Sequence, residues 1–386
     1  MHRKQSAFAL FLTLMAGLAV SALITMRQLP DELTVHSAGS THLSTLLPVS
    51  VDISDADGDY AGAKLFGLVR VKKVALRREK PKKVLLAGTL FGLRMYSDGV
   101  MVVGLSDFRS DGARVNPARD SGIDCGDVIH TADGIDVTSN AEFAGIIKSS
   151  HGSVEIGITA SDGSRNKVSL TPAYSDSDGC LKTGMWVRDS AAGIGTLTYI
   201  DPESGCFGGL GHGICDVDTH GIIPIHDGEI FPACVMGIKR GVRGSVGEIR
   251  GYLSGESIGV LRHNTQYGTF GQYTAELPEL KAYEAAVKQE IRQGKAQILC
   301  TVTPDGKPRL YDAVIEKINY GGEPTRNMII RVTDDALLEQ TGGIIQGMSG
   351  SPVIQNGQFI GAVTHVFVNT PSRGYAIFAE NMLGRD

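Results

Sequence analysis

The sequence predicts a mainly β chain of several folded units behind an apolar N-terminal helix. Short apolar runs alternate with glycine turns throughout, and 49 of the 386 residues are glycine. Helical spacing of apolar residues is rare. The chain is 42% hydrophobic, enough at this length to bury more than one core. A net charge of -5 gives no reason to expect nucleic acid as a partner. Six cysteines, at 125, 180, 206, 215, 234 and 300, contain no Cys-x-x-Cys pair and are too few for a disulfide framework. Buried thiols are expected for most of them, with one or two bridges as the alternative.

Arg3 and Lys4 precede an uncharged run over residues 6–26 rich in Leu, Ala, Phe and Val. About 20 such residues cross a bilayer as one helix. Positive charges before the run stay cytoplasmic, so everything after Arg27 is exported. Residues 1–27 are therefore expected to form a transmembrane helix that anchors the chain. A cleavable signal peptide ending near Val20-Ser21-Ala22 is the rival reading. Residues 28–83 read as a tether followed by a β-rich segment, with strands over 47–53 and 65–71 around an Asp-rich turn. The basic stretch 77–83 reads as a solvated linker rather than a lipid contact.

Residues 84–174 form a separate block. Strand text at 84–88 and 99–104 is followed by a short helix started by Pro117 and stopped at Gly122. Asp133-Gly134 marks a hairpin turn, and Ser139 with Glu142 makes a capping box for a helix over 140–148. Strands over 153–160 and 167–172 close the block. The ordered text Phe91-Gly92-Leu93, Pro117-Ala118, Gly122-Ile123, Gly126-Asp127-Val128-Ile129 and Asp133-Gly134 resembles the PDZ domain of secreted bacterial proteases. That resemblance implies that N–H groups of Phe91, Gly92 and Leu93 hold a peptide C-terminal carboxylate beside an apolar groove.

Residues 175–386 read as a last domain, entered through a Ser/Asp/Gly linker over 175–179. Its short apolar runs and glycine turns favour a β-barrel or sandwich. One helix is expected, over 279–293, with Leu280, Tyr283, Ala286, Val287 and Ile291 at helical spacing.

The chemistry centres on Gly347-Met348-Ser349-Gly350-Ser351-Pro352. A serine between glycines has little steric cover, and flexible backbone beside it lets consecutive N–H groups converge on one spot. An acyl-transfer nucleophile needs such a hydroxyl and such donors. Read alone, the stretch is an ordinary Gly/Ser turn. A base changes that reading, and His212 in Gly211-His212-Gly213-Ile214-Cys215-Asp216 is the best candidate. His220, His226, His263 and His365 are weaker, with His365 in a strand-like run. A carboxylate should orient the base. Asp334 is chosen, with Asp335, Asp216 and Asp218 competing, although by spacing alone Asp334 reads better as a helix cap.

The whole chain resembles the stage IV sporulation protein B (SpoIVB) serine peptidase family. The most specific text is residues 211–216, residues 341–352 and Gly361-Ala362-Val363-Thr364-His365-Val366-Phe367-Val368-Asn369. The family's catalytic His falls on His212, its Ser on Ser349 and its Asp on Asp334. The resemblance implies a serine endopeptidase outside the cytoplasmic membrane, in the forespore intermembrane space. It implies that the enzyme processes itself and cleaves a regulator in a sigma-factor activation pathway. The serine loop also resembles that of chymotrypsin-like β-barrel peptidases, with Met348 where those enzymes carry the aspartate that pairs with a freed N-terminus. The expected mechanism has His212 take the Ser349 proton while the N–H groups of Gly347 and Ser349 bind the oxyanion. No cofactor is required. Two rivals are a zinc hydrolase built on His212, Asp216 and His220, and a membrane-anchored PDZ scaffold without activity. The PDZ block precedes the peptidase domain in this reading, so it could hold the chain's own N-terminal segment, or another copy of the chain, for self-cleavage.

Overall fold

Strand pairing, rather than helix packing, builds this chain. The computed structural model describes residues 2–36, 39–54 and 56–383. Helix α1 (His2–Gln28) contains the apolar run. Among the described residues no helix is long and apolar enough to cross a membrane. The expected transmembrane helix is thus not supported. The C-terminal end of α1 is instead tied to the folded body, where Leu47 N–H donates to the buried Thr25 hydroxyl at 3.3 Å.

The tether expected after it is folded as well. Strands β1 (Glu32–Val35), β2 (Ser40–Leu43), β3 (Val49–Asp52), β4 (Tyr60–Leu65) and β5 (Val69–Arg78) form a sheet in the order β1-β5-β4-β3-β2. The single strand expected over 65–71 is broken by a turn, with Phe66 at φ 53° and Leu68 85% exposed. Leu33, Val51, Ala63 and Val74 are buried with the core of the C-terminal barrel.

Strand β6 (Lys83–Leu105) is 23 residues long and belongs to two units. Its first part pairs with β15 (Met185–Ile200) on one edge and with β17 (Ile225–Lys239) on the other. With β16 (Cys206–Gly209), β19 (Gly259–Thr265) and β20 (Gly268–Tyr273), the pairings run β6-β15-β16-β20-β19-β17 and return to β6. This is the first barrel. The overrun of β17 forms a ribbon with β18 (Glu248–Leu253).

The second part of β6 enters a block inserted between β6 and β15. Gly99 sits at the crossing with φ 96°, where an added Cβ would stand 2.3 Å from the Ile129 carbonyl oxygen. The block holds a small hairpin of β7 (Phe108–Ser110) and β8 (Ala113–Val115) and the short helix α2 (Pro117–Asp120), capped by Asn116. Strands β9 (Val128–Ala132), β10 (Ile135–Asp136), β11 (Val154–Thr159) and β12 (Arg165–Leu170) extend the sheet. Helix α3 (Asn140–Ser149) covers one face. Its cap is as expected at Ser139, and Glu142 reaches back to the N–H and hydroxyl of Thr138. Ile123, Ile129, Phe143, Ile147, Ile156 and Leu170 make the block's own core, each worth roughly 1.5–3 kcal/mol when fully buried. A minor pair, β13 (Ala173–Tyr174) and β14 (Leu181–Lys182), leads back into β15.

This topology moves the expected boundaries at 84 and 175. The block does not precede the peptidase domain. It lies inside it, because Leu85 pairs with Ile200 and Leu105 with Met185 along one ribbon.

The expected helix over 279–293 is not there. Strand β21 (Ala282–Glu284) pairs with the start of β6, and residues 288–290 form one 3-10 turn. Tyr283, Ala285, Ala286, Val287 and Ile291 are buried as an extended strap, so tertiary pairing overrides the helical spacing. The second barrel follows. It is closed in the order β22-β23-β24-β27-β26-β25, from β22 (Gly294–Cys300), β23 (Arg309–Ile318), β24 (Met328–Val332), β25 (Pro352–Gln355), β26 (Gln358–Val366) and β27 (Arg373–Phe378). Helix α4 (Asp335–Thr341) leads into the serine loop, and α5 (Ala379–Leu383) ends the described chain. All six cysteines are free and only Cys300 is buried, so the expectation of mostly buried thiols fails.

Candidate active site

The serine loop is held from below by apolar side chains and from the side by the other barrel. Ile344, Ile345 and Met348 are buried in the core of the second barrel. Thr196 N–H donates to the Ser349 carbonyl at 2.9 Å, and the hydroxyls of Thr196 and Thr198 donate to the carbonyls of Gly347 and Gly350 at 2.8 and 2.7 Å. Both threonines are fully buried on β15. Gly350, at φ 93°, sits where a Cβ would meet the Thr196 oxygen at 2.1 Å and the Leu210 nitrogen at 2.5 Å. Only glycine lets the loop press this closely against the first barrel.

That anchoring decides between the two serines. Ser351 is fully buried and its hydroxyl contacts Thr196 at 3.4 Å. Ser349 lines the cleft between the barrels, of about 780 Å³, together with His212, His365, Thr364 and Gln266. Its hydroxyl donates to the Thr364 carbonyl at 2.8 Å. Among the described residues, the N–H groups of Gly347 and Ser349 donate to no backbone group, while Gly350 N–H is taken by Val363.

His212 lies on the loop after β16. Its Nδ1 meets the Gly213 carbonyl at 2.8 Å. A carbonyl only accepts, so Nδ1 carries the proton and Nε2 keeps the lone pair a general base needs. Burial pushes the imidazole below its ordinary pKa, partly offset by the Gly213 carbonyl. Polar clamps hold the loop. The Asn264 side chain accepts from Ile214 N–H at 2.8 Å and donates to the carbonyls of Ile214 and Ile223 at 2.9 Å. Arg188 pairs with Asp216 and, at 3.0 Å, with Asp218.

Asp334 is not part of this cleft. One of its oxygens accepts from Leu337 N–H at 3.0 Å as the cap of α4, and the other accepts from Asp312 N–H at 3.3 Å. The carboxylate expected to orient His212 is therefore committed to a helix end. Asp216 accepts from the N–H groups of Asp218 and Thr219 and pairs with Arg188, so it is also occupied. Among the described residues no three His, Cys, Asp or Glu side chains stand close enough to share a metal ion, so His212, Asp216 and His220 are not brought together as a ligand set.

The ring facing His212 belongs to His365, on β26, at 5.0 Å between centroids and 36° between planes. The sequence ranks it only among the weaker candidates for the base. Burial, His212 and Arg326 push its pKa down to about 4. Phe91, Gly92 and Leu93 are not in a loop. They lie inside β6 with strands on both edges, opposite Gly195, Ile194 and Gly193 on one and Pro232, Phe231 and Ile230 on the other. Their N–H groups are not free to hold a carboxylate. Thr196, Thr198, Asn264 and Arg188 were not singled out from the sequence, where only the Thr-x-Thr alternation in β15 hinted at an inward polar row.

A model of the family described as SpoIVB peptidase S55 matches residues 179–383, more than half of the chain. No curated protein matches the chain. Among solved structures, the active form of the Rv3671c protease from M. tuberculosis is 19% identical, over 50% of this chain and 73% of that one, with a TM-score of 0.28. An inactive form of a mutant of the same protein, from M. tuberculosis H37Rv, is 18% identical over 50% and 79%, with a TM-score of 0.27. Likeness at this level says nothing of this chain's chemistry.

Proposed function

This chain belongs to the SpoIVB peptidase S55 family and is a serine peptidase, and from that premise we propose an endopeptidase that uses Ser349 as nucleophile and His212 as base. One observation carries the assignment of residues: two barrels bring an accessible serine and a histidine of fixed tautomer into one cleft. Ser349 leaves the Thr364 carbonyl, passes its proton to Nε2 of His212 and attacks the peptide carbonyl. Apo hydrogen bonds of this kind commonly tighten only with substrate bound. The free N–H groups of Gly347 and Ser349 bind the oxyanion, each worth about 3 kcal/mol. The imidazolium then protonates the leaving amine, and water cleaves the acyl-enzyme by the reverse path.

In this proposal the enzyme works outside the cytoplasmic membrane, processes itself and cuts a regulatory protein in a sporulation pathway. Family membership and the charge pattern of the N-terminal run support that placement. The inserted block acts as a PDZ-type binder of peptide C-termini. A cavity of about 270 Å³ between α3 and the segment entering β15, lined by Phe143, Ile147, Leu181, Met185 and Trp186, supports this role better than Phe91–Leu93 does. The test is expression of wild type and Ser349→Ala, with N-terminal sequencing of the fragments and a chelator control. Loss of cleavage by several orders of magnitude in the variant, with chelators harmless, is expected. Cleavage that survives Ser349→Ala overturns the assignment.

A further inference from the structure

Among the described residues His212 has no carboxylate partner, while the Nδ1 of His365 is buried and unpaired. A buried polar atom left unpaired is costly, and an orphan of this kind calls for a reason. Position supplies one. His365 follows Thr364, whose carbonyl holds the Ser349 hydroxyl, and its ring is tilted against that of His212. The groups around it are His212 from the loop after β16, Gln266 from the β19–β20 turn, and Glu323 and Arg326 from the loop before β24. Glu323 and Arg326 are paired with each other at 2.9 Å, so neither is a free partner for His212.

We propose that His365 is the positioning residue for His212, so that Ser349, His212 and His365 form a serine–histidine–histidine relay. When His212 turns Nε2 toward Ser349, its Nδ1–H leaves the Gly213 carbonyl and donates to the Nδ1 lone pair of His365. The Ser349 proton moves to Nε2 of His212, and the new imidazolium keeps its Nδ1 proton, now shared with a neutral imidazole. No proton reaches His365, which stays neutral with its own proton on Nε2. A neutral acceptor stabilises the imidazolium less than a carboxylate does, so His212 remains a base with a low pKa. This rests on the roles proposed for Ser349 and His212.

The test uses the full chain with His365→Phe, His365→Asn and His365→Asp, measuring kcat and KM separately, the pH profile of kcat/KM, and labelling by a fluorophosphonate. His365→Phe keeps a ring without an acceptor and should lower kcat by about 10²–10⁴-fold with KM little changed. His365→Asn restores an acceptor near the Nδ1 position and should recover about 10-fold or more of that loss. His365→Asp should move the acid limb of the profile to higher pH, because a carboxylate raises the His212 pKa. Full kcat in His365→Phe, or an unmoved acid limb in His365→Asp, overturns the proposal. If His365→Phe does not fold, the Asn and Asp variants decide. Wild type labelled at Ser349 while the relay predictions fail would leave the nucleophile standing and remove only His365.

Discussion

The two barrels each contribute one side chain to the proposed catalytic pair, and they hold it by different means. The second barrel closes with strands of four to ten residues and fixes its serine loop with buried Ile344, Ile345 and Met348. The first is built from strands of 23, 16 and 15 residues that overrun the ring. Its histidine loop is fixed by the Asn264 amide and the Arg188 ion pairs. The proposed nucleophile is thus set by packing and by neutral hydrogen bonds from Thr196 and Thr198, which salt and pH barely touch. The proposed base is set by polar clamps, of which the Arg188 ion pairs answer to both.

Four changes would break or sharpen that contrast. Met348→Ala removes a fully buried side chain beneath the serine and should cost about 2–5 kcal/mol, read by denaturant unfolding. Gly350→Ala forces the serine loop off the first barrel. It should lower kcat/KM by about 10²-fold, the effect of a misplacement near 1 Å. Arg188→Ala leaves the Asp216 carboxylate buried with fewer partners and should cost about 1–3 kcal/mol. Its effect on kcat/KM should depend on salt, whereas that of Met348→Ala should not. Asp334→Ala should cost only about 1 kcal/mol of stability, as a lost cap. A fall in kcat of several orders of magnitude in folded Asp334→Ala would return it to the catalytic machinery.

The pH profile sharpens the contrast further. Burial lowers the pKa of His212, so its neutral, basic form persists to lower pH and the acid limb of kcat/KM should lie below 6.5. The same burial makes stability depend on pH. The unfolded chain protonates both histidines near 6.5, while folded His365 resists to about 4. Their contribution is therefore full above 6.5 and lost as pH falls toward 4. A thermal-unfolding series from pH 7 to 4 should show a steady decline, and an increase would contradict the burial of these rings.

The serine and histidine were legible because each sits in local text that exposes a reactive group: a residue between glycines on a turn. The inserted block's Pro117, Ser139 and hairpin turns were legible for the same reason. The cap at Asp334 was legible from spacing alone, whereas whether its carboxylate also reaches His212 is a matter of long-range geometry. The apolar residues at 283, 286, 287 and 291 suited a helix and a buried strap equally. The insertion itself was invisible, since pairing Leu85 with Ile200 is a fact about residues far apart in the chain. A consequence is that removing residues 84–174 would delete part of the first barrel. An excision that spares it must join the ends at the Leu105–Met185 pair.

That pair also bears on the order of folding. The first barrel cannot close until its first two strands meet, and about 80 residues of chain separate Leu105 from Met185. Closing a disordered loop of that length costs about 4 kcal/mol in chain entropy. The block has its own core. If it folds first, its two ends emerge already paired, and the strands of the barrel zip from that point like a hairpin from its turn. The inserted block would thus be the nucleus on which the rest of the enzyme assembles.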